Sequence, residues 1–197
     1  VNLDLAKARQ QEIRAHLLRA LDRQRPASTA EAIILRSLQQ SGLTVKREAL
    51  VQELSYLEGK ELARHTERLW SLLPLGVDVL EHNVPDLPGI PINGALSPEA
   101  RAYRQEVRGR LLSALYFARP QGASAGLLWR ALDDSDLSVS GRELAREAAY
   151  LAGKGLLSIS GDVTGDGWGA VLTATGQDVV EGSTPTPPGV YLIEWEV

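Results

Sequence analysis

Four side chains within residues 46–52, Lys46, Arg47, Val51 and Gln52, are of types that meet a nucleic-acid duplex. Arginine can pair bidentately with guanine and glutamine with adenine, while cations neutralise phosphate. A second set, Arg142, Ala145 and Arg146, stands about one hundred residues further on. Arg64, His65 and Arg68 add positive charge shortly after the first set. Other chemistries are poorly supplied. The chain has no cysteine, which excludes disulfides, thiolate metal sites and cysteine nucleophiles and suits a reducing compartment. His16, His65 and His82 share no metal-ligand spacing, and no nucleophile elbow, phosphate loop or dinucleotide fingerprint occurs. Asp162, Thr164, Asp166 and Gly167 imitate the start of a calcium loop, but Thr173 occupies the place of the closing acid. A Gly-rich hairpin turn is the simpler reading. No metal, no cofactor and no enzymatic activity are therefore expected.

The elements that must position these side chains are written twice. Shifted by 94 residues, segment 6–62 lies on 100–156 without a gap, with 23 identities in 57 positions. Arg14 meets Arg108, Glu53 meets Glu147, Tyr56 meets Tyr150, and Arg25-Pro26 meets Arg119-Pro120. A second block, from Leu72, lies on the block from Leu172 and matches Gly76, Asp78, Val79, Glu81, Pro88 and Gly89. The offset there is 100, so the second copy holds six extra residues, which fall in SISGDVTGDGWGAV. The chain therefore reads as two units, 1–93 and 94–197, consistent with a length of 197 residues at about 150 per domain.

Each unit opens with a helical pattern, Ile13, Leu17, Leu18 and Leu21 or Val107, Leu111, Leu112 and Leu115. Ser97-Pro98-Glu99 is a strong helix start, and the Arg-Pro pairs end both helices. A shorter helix, a tight polar connection and a third helix follow. The third helix of unit 2 starts on a capping box, Ser140 to Glu143, whereas unit 1 has Lys46 at the cap position. Tyr56 and Tyr150 are expected to pack on the first helix, and Trp70 and Trp129 to lie in a core or an interface. A two-strand signal closes each unit, much shorter in unit 1, before a final short helix. The fold class is mainly α with small β-hairpins, an α+β chain of two winged helix-turn-helix units in tandem. The third helix would read DNA and the hairpin would be the wing.

Unit 2 carries Ser140, Leu144, Leu151, Gly155-Leu156, Leu172-Thr173, Gly176, Asp178-Val179, Gly182 and Pro188-Gly189-Val190. In this pattern it resembles the small winged-helix proteins of Mu-like phages and prophages, often described as similar to ArsR-type or MarR-type regulators. Unit 1 departs from the pattern at Lys46, Glu61, Leu73, His82 and Ile90. The resemblance implies a phage-associated DNA-binding protein.

The expected function is thus a non-enzymatic regulator of transcription that binds double-stranded DNA, its fused copies imitating a dimer on two half-sites. The DNA contacts would come from Lys46, Arg47, Val51, Gln52, Arg64 and Arg68 in unit 1 and from Arg142 and Arg146 in unit 2. Unit 1 balances 12 basic against 12 acidic residues, whereas unit 2 has 9 against 13, so unit 1 should bind phosphate better. The alternative is a protein-interaction scaffold, favoured by an isoelectric point near 5.5. No apolar run approaches the ~20 residues of a membrane span. The opening segment is amphipathic rather than a secretory signal, and a cytoplasmic location is expected. The tail from Val190 to Val197 is rich in strand formers and is expected to pair with a sheet edge, in this chain or in a homodimer.

Overall fold

A computed structural model describes residues 3–94, 96–165 and 167–192. The chain divides into two compact units, Val1–Ala95 and Leu96–Val197. It is α+β, with eight helices and six short strands among the described residues.

In unit 1, α1 (Leu3–Gln24) buries Ile13, Leu17, Leu18 and Leu21 along one stripe. It stops before Arg25-Pro26, a cis peptide bond, because proline cannot extend the helix. β1 (Thr29–Ala30) leads into α2 (Glu31–Gln40), and α3 (Arg47–Gly59) follows a short turn. α3 turns Leu50, Leu54 and Leu57 inward against Leu17 and Leu18 in one core. β2 (Ala63–Thr66) and β3 (Leu69–Leu72) form a hairpin, and α4 (Pro74–Leu80) closes the unit.

Unit 2 repeats the order with α5 (Pro98–Phe117), β4 (Ala123–Ser124), α6 (Ala125–Asp133), α7 (Gly141–Gly153), β5 (Leu157–Ser160), β6 (Gly169–Leu172) and α8 (Ala174–Val180). Ser97 caps α5 by accepting from the Ala100 amide at 3.2 Å. Leu111, Leu112, Leu115 and Leu151 are wholly buried. Each such side chain contributes about 1.5–3 kcal/mol when removed from water.

The sheets hold a feature that the strand pattern did not foretell. Each has three strands, ordered β1-β3-β2 and β4-β6-β5, all antiparallel. Two-residue strands such as Thr29–Ala30 have no period to recognise, and they pair only because α1 and α2 deliver them to the hairpin. The hairpins differ as the offset implies: two residues, Glu67 and Arg68, join β2 to β3, and residues 161–168 join β5 to β6. The recurring glycines Gly76 and Gly176 also gain a reason. A Cβ there would lie 2.5 Å from the Leu62 carbonyl oxygen or 1.9 Å from that of Leu156, so α4 and α8 can approach their hairpins only without a side chain.

The described start of the tail, residues 190–192, departs from expectation. Val190 is buried and the Tyr191 amide donates to the Gln105 carbonyl at 3.1 Å, so this stretch lies along α5 rather than on a sheet edge. A helix at hand with room at Gly109 offers burial that an edge strand would lack; a Cβ on Gly109 would sit 1.7 Å from the Tyr191 oxygen. The rest of that tail, residues 193–197, lies outside the described residues.

Candidate nucleic-acid interface

Val45 is buried and anchors the chain just before α3, while Leu50, Glu53, Leu54 and Leu57 turn into the core. The opposite side of the helix start is thereby left to solvent. Lys46, Arg47, Val51 and Gln52 are all exposed. Lys46 stands at the N-cap in extended backbone (φ −73°, ψ 152°) and gives α3 no side-chain cap. The Arg47 side chain is 77% exposed, yet its Nε reaches Glu31 Oε2 on α2 at 3.1 Å. That pair orients the guanidinium without burying it.

A further cation joins this corner. Arg9 of α1 is exposed, and its Nη2 donates to the Thr44 carbonyl in the α2–α3 turn at 3.1 Å. The sequence reading missed Arg9, because nothing in the spacing of residues 9 and 44 reveals that α1 passes this turn.

The hairpin supplies the second face. Arg64 lies on β2 opposite Ser71, and both Arg64 and Arg68 are exposed. Glu67 and Arg68 form the turn in left-handed backbone, φ 51° and 76°. His65 stacks on the buried Trp70 at 4.6 Å between ring centroids, and its amide donates to Glu58 Oε1 at 2.9 Å. The strand period thus sends Arg64 to the face opposite His65.

Unit 2 is built differently at the same places. Ser140 caps α7 in a full capping box with Glu143. The Ser140 hydroxyl, then its amide, holds the Glu143 carboxyl below the usual carboxylate range. Arg142 is exposed. Two candidates need correction. Ala145 is buried, since its one methyl stays beneath longer neighbours. Arg146 is also turned inward: its side chain is only 18% exposed, and its Nε meets Glu147 Oε1 at 3.0 Å. The cause is the Glu147 carboxylate, buried beside Arg108, whose second oxygen gains a charged donor this way. Of the two places expected for Trp129, the core of its unit is ruled out. Trp129 is 41% exposed, with its indole N–H on the Val139 carbonyl at 2.8 Å.

Many residues that recur between units hold the framework instead. Arg14 Nε meets Glu53 Oε2 at 2.6 Å, and Arg108 Nε meets Glu147 Oε2 at 2.6 Å. Each guanidinium lies over a tyrosine ring, Tyr56 at 3.6 Å or Tyr150 at 3.8 Å, and donates to the carbonyl of Gly89 or Gly189. This cluster fastens the first helix to the third and pins the segment after the last helix. It also fixes the tilt of the helix that carries Lys46 and Arg47.

Asp162 of the Gly-rich loop accepts from the Thr164 amide and hydroxyl, a turn closed on itself. Asp166 lies outside the described residues. Among the described residues no group of three His, Asp or Glu is placed to hold a metal ion, and no helix is long and apolar enough to cross a membrane. Comparison with family models, with curated proteins and with solved structures finds no match to this chain.

Proposed function

We propose that the chain is a non-enzymatic, double-stranded-DNA-binding protein of two tandem winged helices, serving a phage or prophage as a transcriptional regulator. One observation carries this: a single unit exposes Lys46, Arg47 and Gln52 at the start of one helix and Arg64 and Arg68 on the adjoining hairpin. Helix and hairpin of this kind can lie in a groove and on its flanking backbone. The element order of each unit, helix, strand, helix, helix and hairpin, supports the winged-helix assignment. The repeated order supports the duplication.

The test is a titration of the full chain onto labelled duplex DNA across salt. Four phosphate contacts would lower affinity by about two decades between 50 and 200 mM salt. Absence of binding at 50 mM, or binding indifferent to salt, would refute the proposal.

A second reading, a protein-interaction scaffold, draws on unit 2. That unit carries the chain's whole excess of acid and exposes Phe117 (70%) and Leu127 (58%). Phe117 and Val171 line one open groove of about 570 Å³. The same titration decides: a chain that ignores DNA leaves this reading standing.

A further inference from the structure

The two units make one identical contact with different chemistry. In unit 1, Arg9 donates to the Thr44 carbonyl at 3.1 Å; in unit 2, at the repeat-matched positions, the Tyr103 hydroxyl donates to the Ser138 carbonyl at 2.6 Å. Both bonds tie the first helix to the turn before the third. Only the first places a cation on that carbonyl.

The positions of the turn and the helix cap change in the same sense, while Glu31, Glu48 and Gln52, matched by Ala125, Arg142 and Arg146, change in the opposite one. Lys46 and Arg47 correspond to Ser140 and Gly141. Gln39, Gln40 and Gly42 correspond to Asp133, Asp134 and Asp136, all exposed. Glu31, which holds Arg47, corresponds to Ala125, so the partner acid is absent where the arginine is absent. Gln52 corresponds to Arg146, which is engaged with Glu147. Over Arg9, Glu31, Gln39, Gln40, Gly42, Lys46, Arg47 and Gln52 and their eight counterparts, the formal charge passes from two positive in unit 1 to two negative in unit 2. Phosphate binding follows such local charge steeply, since each neutralised phosphate releases counterion.

We infer that unit 1 alone grips the duplex, and that Arg9 is a third phosphate-contacting cation beside Lys46 and Arg47. Unit 2 keeps the framework and has lost the grip. This rests on the DNA-binding reading above. It adds a residue on the first helix, and it assigns the two units unequal roles.

The test compares Arg9→Tyr, Arg9→Lys and Arg142→Ala in the full chain, titrated with duplex DNA at several salt concentrations. Arg9→Tyr installs the residue that makes the same carbonyl contact in unit 2, so the fold is retained, which a thermal melt checks. It should flatten the salt dependence by about one power of salt concentration and weaken binding about eightfold at 0.1 M. Arg9→Lys should restore the slope, because it keeps the charge. Arg142→Ala should stay within about twofold of the unchanged protein. An unchanged slope for Arg9→Tyr, or a loss for Arg142→Ala as large as that for Arg9→Tyr, overturns the inference while leaving DNA binding intact. If the unchanged protein itself fails to bind DNA at low salt, the DNA-binding reading falls and this inference with it.

Discussion

Replacing Arg108 with alanine removes a wholly buried guanidinium from Glu147 at 2.6 Å, the Gly189 carbonyl at 2.9 Å and the face of Tyr150 at 3.8 Å. The Glu147 side chain, 2% exposed, then keeps Arg146 at 3.0 Å as a charge partner. Breaking a buried pair by removing one member costs about 3–5 kcal/mol, chiefly through the charge left behind. Arg146 remains to receive that charge, so the lower end applies, about 3 kcal/mol. For a unit of this size each kcal/mol moves the melting point by about 4–8 °C, giving a fall of roughly 12–24 °C. The matched pair in unit 1 is wetter, with side chains 14% and 6% exposed. Water can solvate Glu53 once Arg14 is gone, so Arg14→Ala should cost about half as much. Calorimetry of the two variants reads the difference directly. A third variant, Arg108→Met with Glu147→Leu, removes both charges and should recover most of the loss. If Arg108→Ala melts no lower than Arg14→Ala, or if the apolar pair melts below Arg108→Ala, the desolvated charge is not what makes this contact costly to break.

Two further substitutions test adjoining parts. Lys46→Ser supplies the missing cap of α3 and should raise stability by about 1 kcal/mol, while the lost cation weakens DNA binding several-fold; melting and affinity moving in the same direction would argue against Lys46 as both a poor cap and a phosphate contact. Gly109→Ala places a methyl on the Tyr191 backbone and should cost about 1–3 kcal/mol, with faster hydrogen exchange at the Tyr191 amide; an unchanged exchange rate would show that the Tyr191 segment does not depend on that gap.

Helices and their order were legible because their signals are local. The leucine stripes of α1 and α5, the Arg-Pro stops and the Ser140 capping box each act within a few residues, and the helix boundaries lie close to them. The six-residue difference between hairpins was equally readable, since it is a matter of counting. The exposure of Lys46, Arg47, Val51 and Gln52 followed from helical period once α3 was assigned. The packing of Tyr56 and Tyr150 on the first helix was also legible, but most other contacts between elements distant in the chain required three dimensions. β1 and β4 are too short to carry a pattern and exist only through pairing. Arg146 has the composition of a DNA contact, yet a buried carboxylate one residue away draws it inward, and burial of Glu147 depends on α5. Arg9 looks like any surface arginine until α1 is seen to pass the α2–α3 turn. Val190 and Tyr191 have strand-forming side chains, but Gly109 lets them lie on a helix instead. Local propensity chooses the element, whereas desolvation and the meeting of distant segments choose which of its polar groups remain available to a partner.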